Sequence, residues 1–343
     1  MSKKIELNVL IFELTDGCNQ NCKFCYNYWK GANSQYSAET ASYRRIKKVL
    51  KTVFKQATVK SISFSGGEPL LLPEIRDLVF YSRLHKSNVS VLTNGTLLDN
   101  ELIESFSDLG VRRIQIPLLS SDTKTHNALT QREGSWNQAV EATRKLIKTN
   151  PEWFNAVLVL TKQNISGLDE TLQFYVSLGV KTVLVNRFNI GGLGRQYQAE
   201  LNLSHQELQV AFKEIDIFAH EHDIRFYSGV CTPICVLNPA EYRKIAFSFC
   251  NKDISLRPIT INYKGDVRFC NHSPRILGNV FEKTLSEILL NKDYDAYFNT
   301  TPDYCASCEL LPRCGGGCRA ASEQVYNTFA KVDPLLDVVL FQT

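Results

Sequence analysis

Glu6-Leu7-Asn8-Val9-Leu10-Ile11-Phe12-Glu13-Leu14 runs into Thr15-Asp16-Gly17-Cys18-Asn19-Gln20-Asn21-Cys22-Lys23-Phe24-Cys25. The first nine residues read as a strand, and the stretch after it puts three thiols on one loop, at Cys18, Cys22 and Cys25. Such a loop can wrap a single metal centre. A cubane iron–sulfur cluster takes soft thiolates on all four irons, so three cysteines leave one iron open to an external ligand. Closed tetrahedral zinc would need a fourth ligand, and the loop has none nearby.

Outward from this loop, short β-branched runs alternate with longer amphipathic stretches as far as about residue 190, the pattern of strand–helix units around a parallel sheet. Six strands are predicted, at Glu6–Leu14, Ser61–Ser65, Asn88–Leu92, Val111–Leu118, Phe154–Leu160 and Lys181–Val185. Helices are predicted near 38–54, 73–86, 100–109, 135–149 and 167–178. A full eight-stranded barrel takes about 250 residues, so six units fit a partial (β/α)6 barrel. Loops at the carboxyl ends of such strands are where function gathers. The second strand ends in Ser65-Gly66-Gly67-Glu68-Pro69, whose glycines let backbone approach a ligand and whose glutamate can accept hydrogen bonds from an ammonium group.

Cys-x3-Cys-x2-Cys with an aromatic, Phe24, before the third cysteine resembles the signature of the radical S-adenosylmethionine superfamily, and Gly66-Gly67-Glu68-Pro69 resembles that family's second motif. The resemblance implies a [4Fe–4S] cluster on Cys18, Cys22 and Cys25, with S-adenosylmethionine chelating the open iron. It implies a cofactor pocket formed by Phe24, Gly66, Gly67, Glu68, Pro69, Asn94, Arg132, Asn186 and Arg187, although either arginine can equally be structural. One departure is that the fourth strand reads Gln115-Ile116-Pro117-Leu118-Leu119 where many members carry Ser-Leu-Asp, which leaves a ribose contact there open. His126 reads as a loop histidine and not as a catalytic one.

Gly-rich Asn189–Gly194 ends the alternation, so a core domain is expected at 1–195, a helical connection at 196–230 with a helix near 204–222, and a small α+β domain at 231–343. In that last part Ile259–Asn262 and Val267–Phe269 flank Lys264-Gly265 as a hairpin. Cys305, Cys308, Cys314 and Cys318 are spaced Cys-x2-Cys-x5-Cys-x3-Cys, and Cys250 precedes a Gly265-x4-Cys270 motif. Together these resemble the SPASM extension, which implies one or two auxiliary iron–sulfur clusters. On that resemblance Cys250, Cys270 and Cys318 serve the inner cluster, and Cys305, Cys308 and Cys314 the outer one. The family pattern has a later cysteine for the outer cluster and none follows Cys318 here. A non-cysteine ligand, Cys231 or Cys235 could complete the set, with Cys235 favoured, or a cluster is incomplete. A zinc ribbon would explain only four of these ligands.

Composition bounds the partners. The 39 Lys+Arg against 35 Asp+Glu form no dense basic run, so nucleic acid is not expected. The apolar stretch Val9–Phe12 is too short for a signal core or a membrane span, so a cytoplasmic chain is expected, whose eleven cysteines stay reduced and serve metals. The resemblance implies reductive cleavage of S-adenosylmethionine to a 5′-deoxyadenosyl radical and hydrogen abstraction from substrate, with flavodoxin or ferredoxin as reductant. Oxidative modification or crosslinking of a ribosomally made peptide is the first expectation. Radical oxidation or rearrangement of a small metabolite such as a sugar comes second, and a non-enzymatic metal or electron-transfer protein third. Sulfatase maturation is disfavoured, since the residue after Cys270 is Asn271 and not a carboxylate. With the first strand starting near residue 6, a leader peptide would need the barrel mouth or a separate binding protein.

Overall fold

The apolar run that opens the chain is a strand, β1 (Ile5–Glu13), with Leu7, Leu10 and Phe12 fully buried. The computed structural model describes residues 4–30, 42–290 and 292–340, so the beginning of the helix predicted at 38–54 lies outside the described residues. Five further strands match the predicted ones with ends shifted by a few residues: β2 (Ala57–Ser65), β3 (Asn88–Leu92), β4 (Arg113–Pro117), β5 (Phe154–Leu160) and β6 (Thr182–Arg187). Beyond them come β7 (Arg225–Ser228), β8 (Ile245–Phe247), β9 (Pro258–Asn262), β10 (Asp266–Arg268) and β11 (Ile276–Asn279).

Two compact units make up the chain. The first contains Met1–Asn19, Asn33–Ile114 and Asn251–Thr300. Its centre is β1, which pairs in parallel with β2 on one side and β9 on the other, and β3 continues the parallel order beyond β2. The predicted hairpin is present as antiparallel β9 and β10, with β11 added outside it. Helix Tyr43–Gln56 buries Ile46, Val49, Leu50, Val53 and Phe54, the three-and-four spacing of one helical face, and Ser42 caps its start. Glu13 on β1 and Arg268 on β10 form a buried ion pair, each supplying the countercharge that makes burial of the other tolerable.

The second unit contains Gln20–Ala32, Gln115–Cys250 and Thr301–Thr343. Here β5, β6, β7 and β8 lie in that order, all parallel. The strand–helix alternation therefore does not stop near residue 195. Helix His205–Glu221, opened by a Ser204/Glu207 capping box, leads into β7 beside β6. Both added strands are too short, at four and three residues, for a period-two pattern to show in the sequence. A helix at Thr123–Thr130 also went unpredicted, its polar composition hiding a structure held by the Asp122 side chain on Thr125 N. It carries His126, so that residue sits on the buried face of a helix and not in a loop. Among the described residues no helix is long and apolar enough to cross a membrane.

Candidate functional site

In the first unit, the glycine motif after β2 and the segment leading to Cys18 form one hydrogen-bonded body. Leu14 N donates to Ser65 O at 2.9 Å, Gly67 N to Thr15 O at 2.8 Å and Glu68 N to Gly17 O at 2.8 Å. The approach is so close that a Cβ on Gly66 would stand 2.4 Å from Thr15 O, at a backbone φ of +126°, and one on Gly67 would stand 1.9 Å from Gly17 O. Only glycine fits either position. Glu68 is buried, and its carboxylate accepts from Leu70 N at 3.0 Å, Thr93 Oγ1 at 2.6 Å and Asn94 N at 2.8 Å, tying the ends of β2 and β3 together. Pro69 opens the short turn Pro69–Leu71 under it. Asn94 then donates through Nδ2 to Asn19 Oδ1 at 2.6 Å, while Asn19 Nδ2 donates to Thr96 Oγ1 at 2.8 Å. The residues on both sides of Cys18, Gly17 and Asn19, are thus held by neighbouring strand ends.

The second unit holds Cys22 and Cys25. The last carbonyls of helix Thr123–Thr130 have no partners within the helix, and Thr130 O and Leu129 O accept from Asn21 N at 3.3 Å and Lys23 N at 2.8 Å, on either side of Cys22. Phe24 packs against the buried cluster of Leu119, Leu129, Phe188, Ile190 and Leu201, anchoring the loop through its ring. Cys25 O accepts from Gly194 N at 3.1 Å. Gly192, at φ +46°, comes so near that a Cβ there would lie 2.3 Å from Asn27 O. Gln324 bridges the two segments of this contact, accepting from Gly192 N at 2.7 Å and donating to Tyr26 O at 3.0 Å. Sequence reasoning read the glycine-rich 189–194 segment as a boundary; the spacing of its glycines was the available signal for this role. Gln324 had no signal at all.

The remaining strand-end residues are engaged by the protein. Asn186 Oδ1 accepts from Gly229 N at 2.9 Å and Val230 N at 3.1 Å, fixing the loop after β7. Arg187 is buried in an ion pair with Asp333, and also donates to Thr232 Oγ1 at 3.2 Å and Cys231 O at 3.1 Å. Asp333 accepts from Cys318 N at 2.7 Å as well, and Cys318 Sγ accepts from Asn189 Nδ2 at 3.3 Å. Arg132 follows the left-handed Gln131 that closes helix Thr123–Thr130, its N–H donating to Asn127 O at 3.2 Å.

Cys235, Cys305, Cys308 and Cys314 all line a cavity of about 370 Å³ in the second unit, together with apolar groups that include Ile234, Leu310, Leu311 and Leu336. Burial first, then the neighbouring thiols, push Cys305 up to about 11 and raise Cys235 too. Four soft sulfur donors around one cavity are the set an iron–sulfur cluster takes, so the residues present fit that group. Among the described residues no three His, Cys, Asp or Glu side chains converge on a point for a single metal ion. Cys270 follows β10 in the first unit, its carbonyl accepting from Ser273 N at 3.2 Å, and Cys250 ends the Gln115–Cys250 stretch of the second.

A parallel α/β core with a three-cysteine loop, a Gly-Gly-Glu loop bonded to it and a cysteine-rich extension is the arrangement of an iron–sulfur radical enzyme. The chain belongs to the radical SAM superfamily, whose family model matches residues 12–175, while an iron–sulfur cluster-binding SPASM domain matches residues 250–314. Its cofactors are accordingly a [4Fe–4S] cluster, S-adenosylmethionine and auxiliary iron–sulfur clusters. The chain is 24% identical over 337 residues to a PqqA peptide cyclase of Gluconobacter oxydans, covering 95% of this chain and 89% of the relative. It is 26% identical to the antilisterial bacteriocin subtilosin biosynthesis protein AlbA of Bacillus subtilis, covering 89% of this chain and 66% of that one. The fold is that of Streptococcus suis SuiB bound to S-adenosylmethionine, with a TM-score of 0.73 at 18% identity over 97% of this chain and 77% of SuiB. SuiB has also been solved with its precursor peptide SuiA.

Proposed function

We propose that this chain oxidatively modifies or crosslinks a ribosomally made peptide. The observation that carries the reading is the similarity to a peptide cyclase along 95% of the chain, with a bacteriocin biosynthesis protein beside it. When bound, the first cluster and S-adenosylmethionine supply a 5′-deoxyadenosyl radical that takes a hydrogen atom from an unactivated C–H bond.

The chain's own residues hold and orient. Cys18, Cys22 and Cys25 ligate the first cluster, and the Gly66–Glu68 loop fixes the backbone before Cys18. Leu129 O, Thr130 O, Gly194 N and Gln324 fix the loop around Cys22 and Cys25. The resemblance to the SPASM pattern assigns Cys250, Cys270 and Cys318 to the inner auxiliary cluster and Cys305, Cys308 and Cys314 to the outer one. Asn271 supplies no carboxylate base. A one-electron reductant of the flavodoxin or ferredoxin kind serves the first cluster, and a separate protein can present the leader peptide.

The test is anaerobic incubation of the reduced, cluster-loaded protein with S-adenosylmethionine and short peptides encoded beside its gene. We expect 5′-deoxyadenosine together with a peptide lighter by two hydrogen atoms, and neither product from the Cys18/Cys22/Cys25→Ala variant, which still retains its auxiliary iron. Cofactor cleavage that alters a sugar and leaves every neighbouring peptide unchanged would overturn the peptide reading.

A further inference from the structure

We propose that Cys235 is the fourth protein ligand of the outer auxiliary cluster, beside Cys305, Cys308 and Cys314, so that no iron of that cluster is left open to substrate. The inference holds whichever substrate the chain modifies.

The four cysteines reach one cavity from two separate stretches of chain. Cys235 comes from a turn in which Val236 N and Leu237 N both donate to Pro233 O, at 2.9 and 3.1 Å. That turn is pinned twice. Gln209 Nε2 donates to Val236 O at 2.8 Å, and Ile234 N donates to Cys314 Sγ at 3.4 Å, the kind of N–H contact to sulfur that adjusts a cluster's potential. The other three cysteines come from the turns around 303–314, where Cys308 N donates to Cys305 O and Cys314 N to Leu310 O. Cys231 is not among the residues around this cavity; its carbonyl faces Arg187 Nη2 at 3.1 Å. The structure thus separates two upstream cysteines that the sequence left as alternatives.

Closing the cluster with a fourth thiolate has a functional consequence. A fully ligated centre lacks the vacant coordination position that direct substrate binding requires, as in closed against open metal sites generally. Peptide or metabolite cannot then be held at the outer cluster.

Cys235 and Cys308 are both exposed, so an alkylating reagent can reach either thiol when no cluster holds it, and alkaline buffer supplies the thiolate that reacts. The cluster-loaded native chain is treated anaerobically with iodoacetamide before and after its iron is removed by a chelator, and the labelled cysteines are mapped by mass spectrometry. We expect the exposed Cys235 and Cys308 to be protected in the loaded chain and labelled once iron is stripped, with the buried Cys305 and Cys314 labelled only when the stripped chain is also unfolded in urea. In parallel, Cys235→Ala and Cys231→Ala are each placed in the Cys18/Cys22/Cys25→Ala background, where all remaining iron is auxiliary. Cys235→Ala is expected to lose iron and change the electron paramagnetic resonance spectrum of the reduced protein, and Cys231→Ala to match its parent in both. The proposal fails if Cys235 is alkylated equally with and without iron, if Cys235→Ala keeps the parent's iron and spectrum, or if the chain takes up no auxiliary iron.

Discussion

Replacing Gly67 with alanine isolates what the glycine motif does for the cluster loop. The added Cβ would stand 1.9 Å from Gly17 O and 2.5 Å from Gly17 C, with Asp16 O at 3.0 Å. An ordinary contact needs roughly 3.5 Å, so the backbone before Cys18 must retreat on the order of 1.5 Å. That movement removes the bonds Gly67 N to Thr15 O and Glu68 N to Gly17 O, each contributing about 1 kcal/mol net. Forced repacking adds about 1–3 kcal/mol, giving a total of about 3–5 kcal/mol against the native loop. The obstacle is backbone, which cannot rotate aside as a side chain can. We expect Gly67→Ala to keep its far-ultraviolet circular dichroism while iron at the first cluster and 5′-deoxyadenosine formation fall at least tenfold. Gly134→Ala is the control: its φ is also positive, at +75°, but nothing lies within 4 Å of the added Cβ, so a cost near 1 kcal/mol and little change in iron are expected. A Gly67→Ala protein with full iron and full cofactor cleavage would refute the reasoning.

Two further outcomes follow from buried charge. Asp333→Asn leaves Arg187 buried without its countercharge and should cost about 3–5 kcal/mol, read as a lowered urea midpoint. An unchanged midpoint in Asp333→Asn contradicts that account. Burial lowers His126 to about 4, and its Nδ1 accepts from Leu119 N, so the folded chain keeps the ring neutral where the unfolded chain protonates it near pH 6.5. Since the unfolded state then binds more protons, stability should fall as pH drops from about 6.5 toward 4, by up to about 3 kcal/mol. His126→Gln should flatten the pH dependence of the unfolding midpoint in that window, and an unaltered slope would count against it.

The six strands of the core could be read from the sequence because each carries five or more residues of apolar or alternating character, enough for periodicity to register. The cysteine loop and the Gly-Gly-Glu loop could be read because their chemistry is local: ligand spacing and missing Cβ atoms are properties of consecutive residues. The four-residue β7 and three-residue β8 lay below that threshold, and β9 gave no sign that its partner would be β1, because pairing in a parallel sheet depends on residues far apart in the chain.

What the amino-acid order determined by itself was therefore the class of chemistry, carried by Cys18, Cys22, Cys25 and Gly66–Pro69, and the presence of a second cysteine system. Only the tertiary structure decided that Arg187 pairs with Asp333, that Gln324 braces the backbone at Tyr26, and that Cys235 rather than Cys231 reaches the cavity of Cys305, Cys308 and Cys314. The reason is physical: a motif fixes which atoms can react, but contacts between distant segments are selected by packing and by the need to satisfy buried charges and hydrogen bonds, and no short stretch of sequence contains both partners.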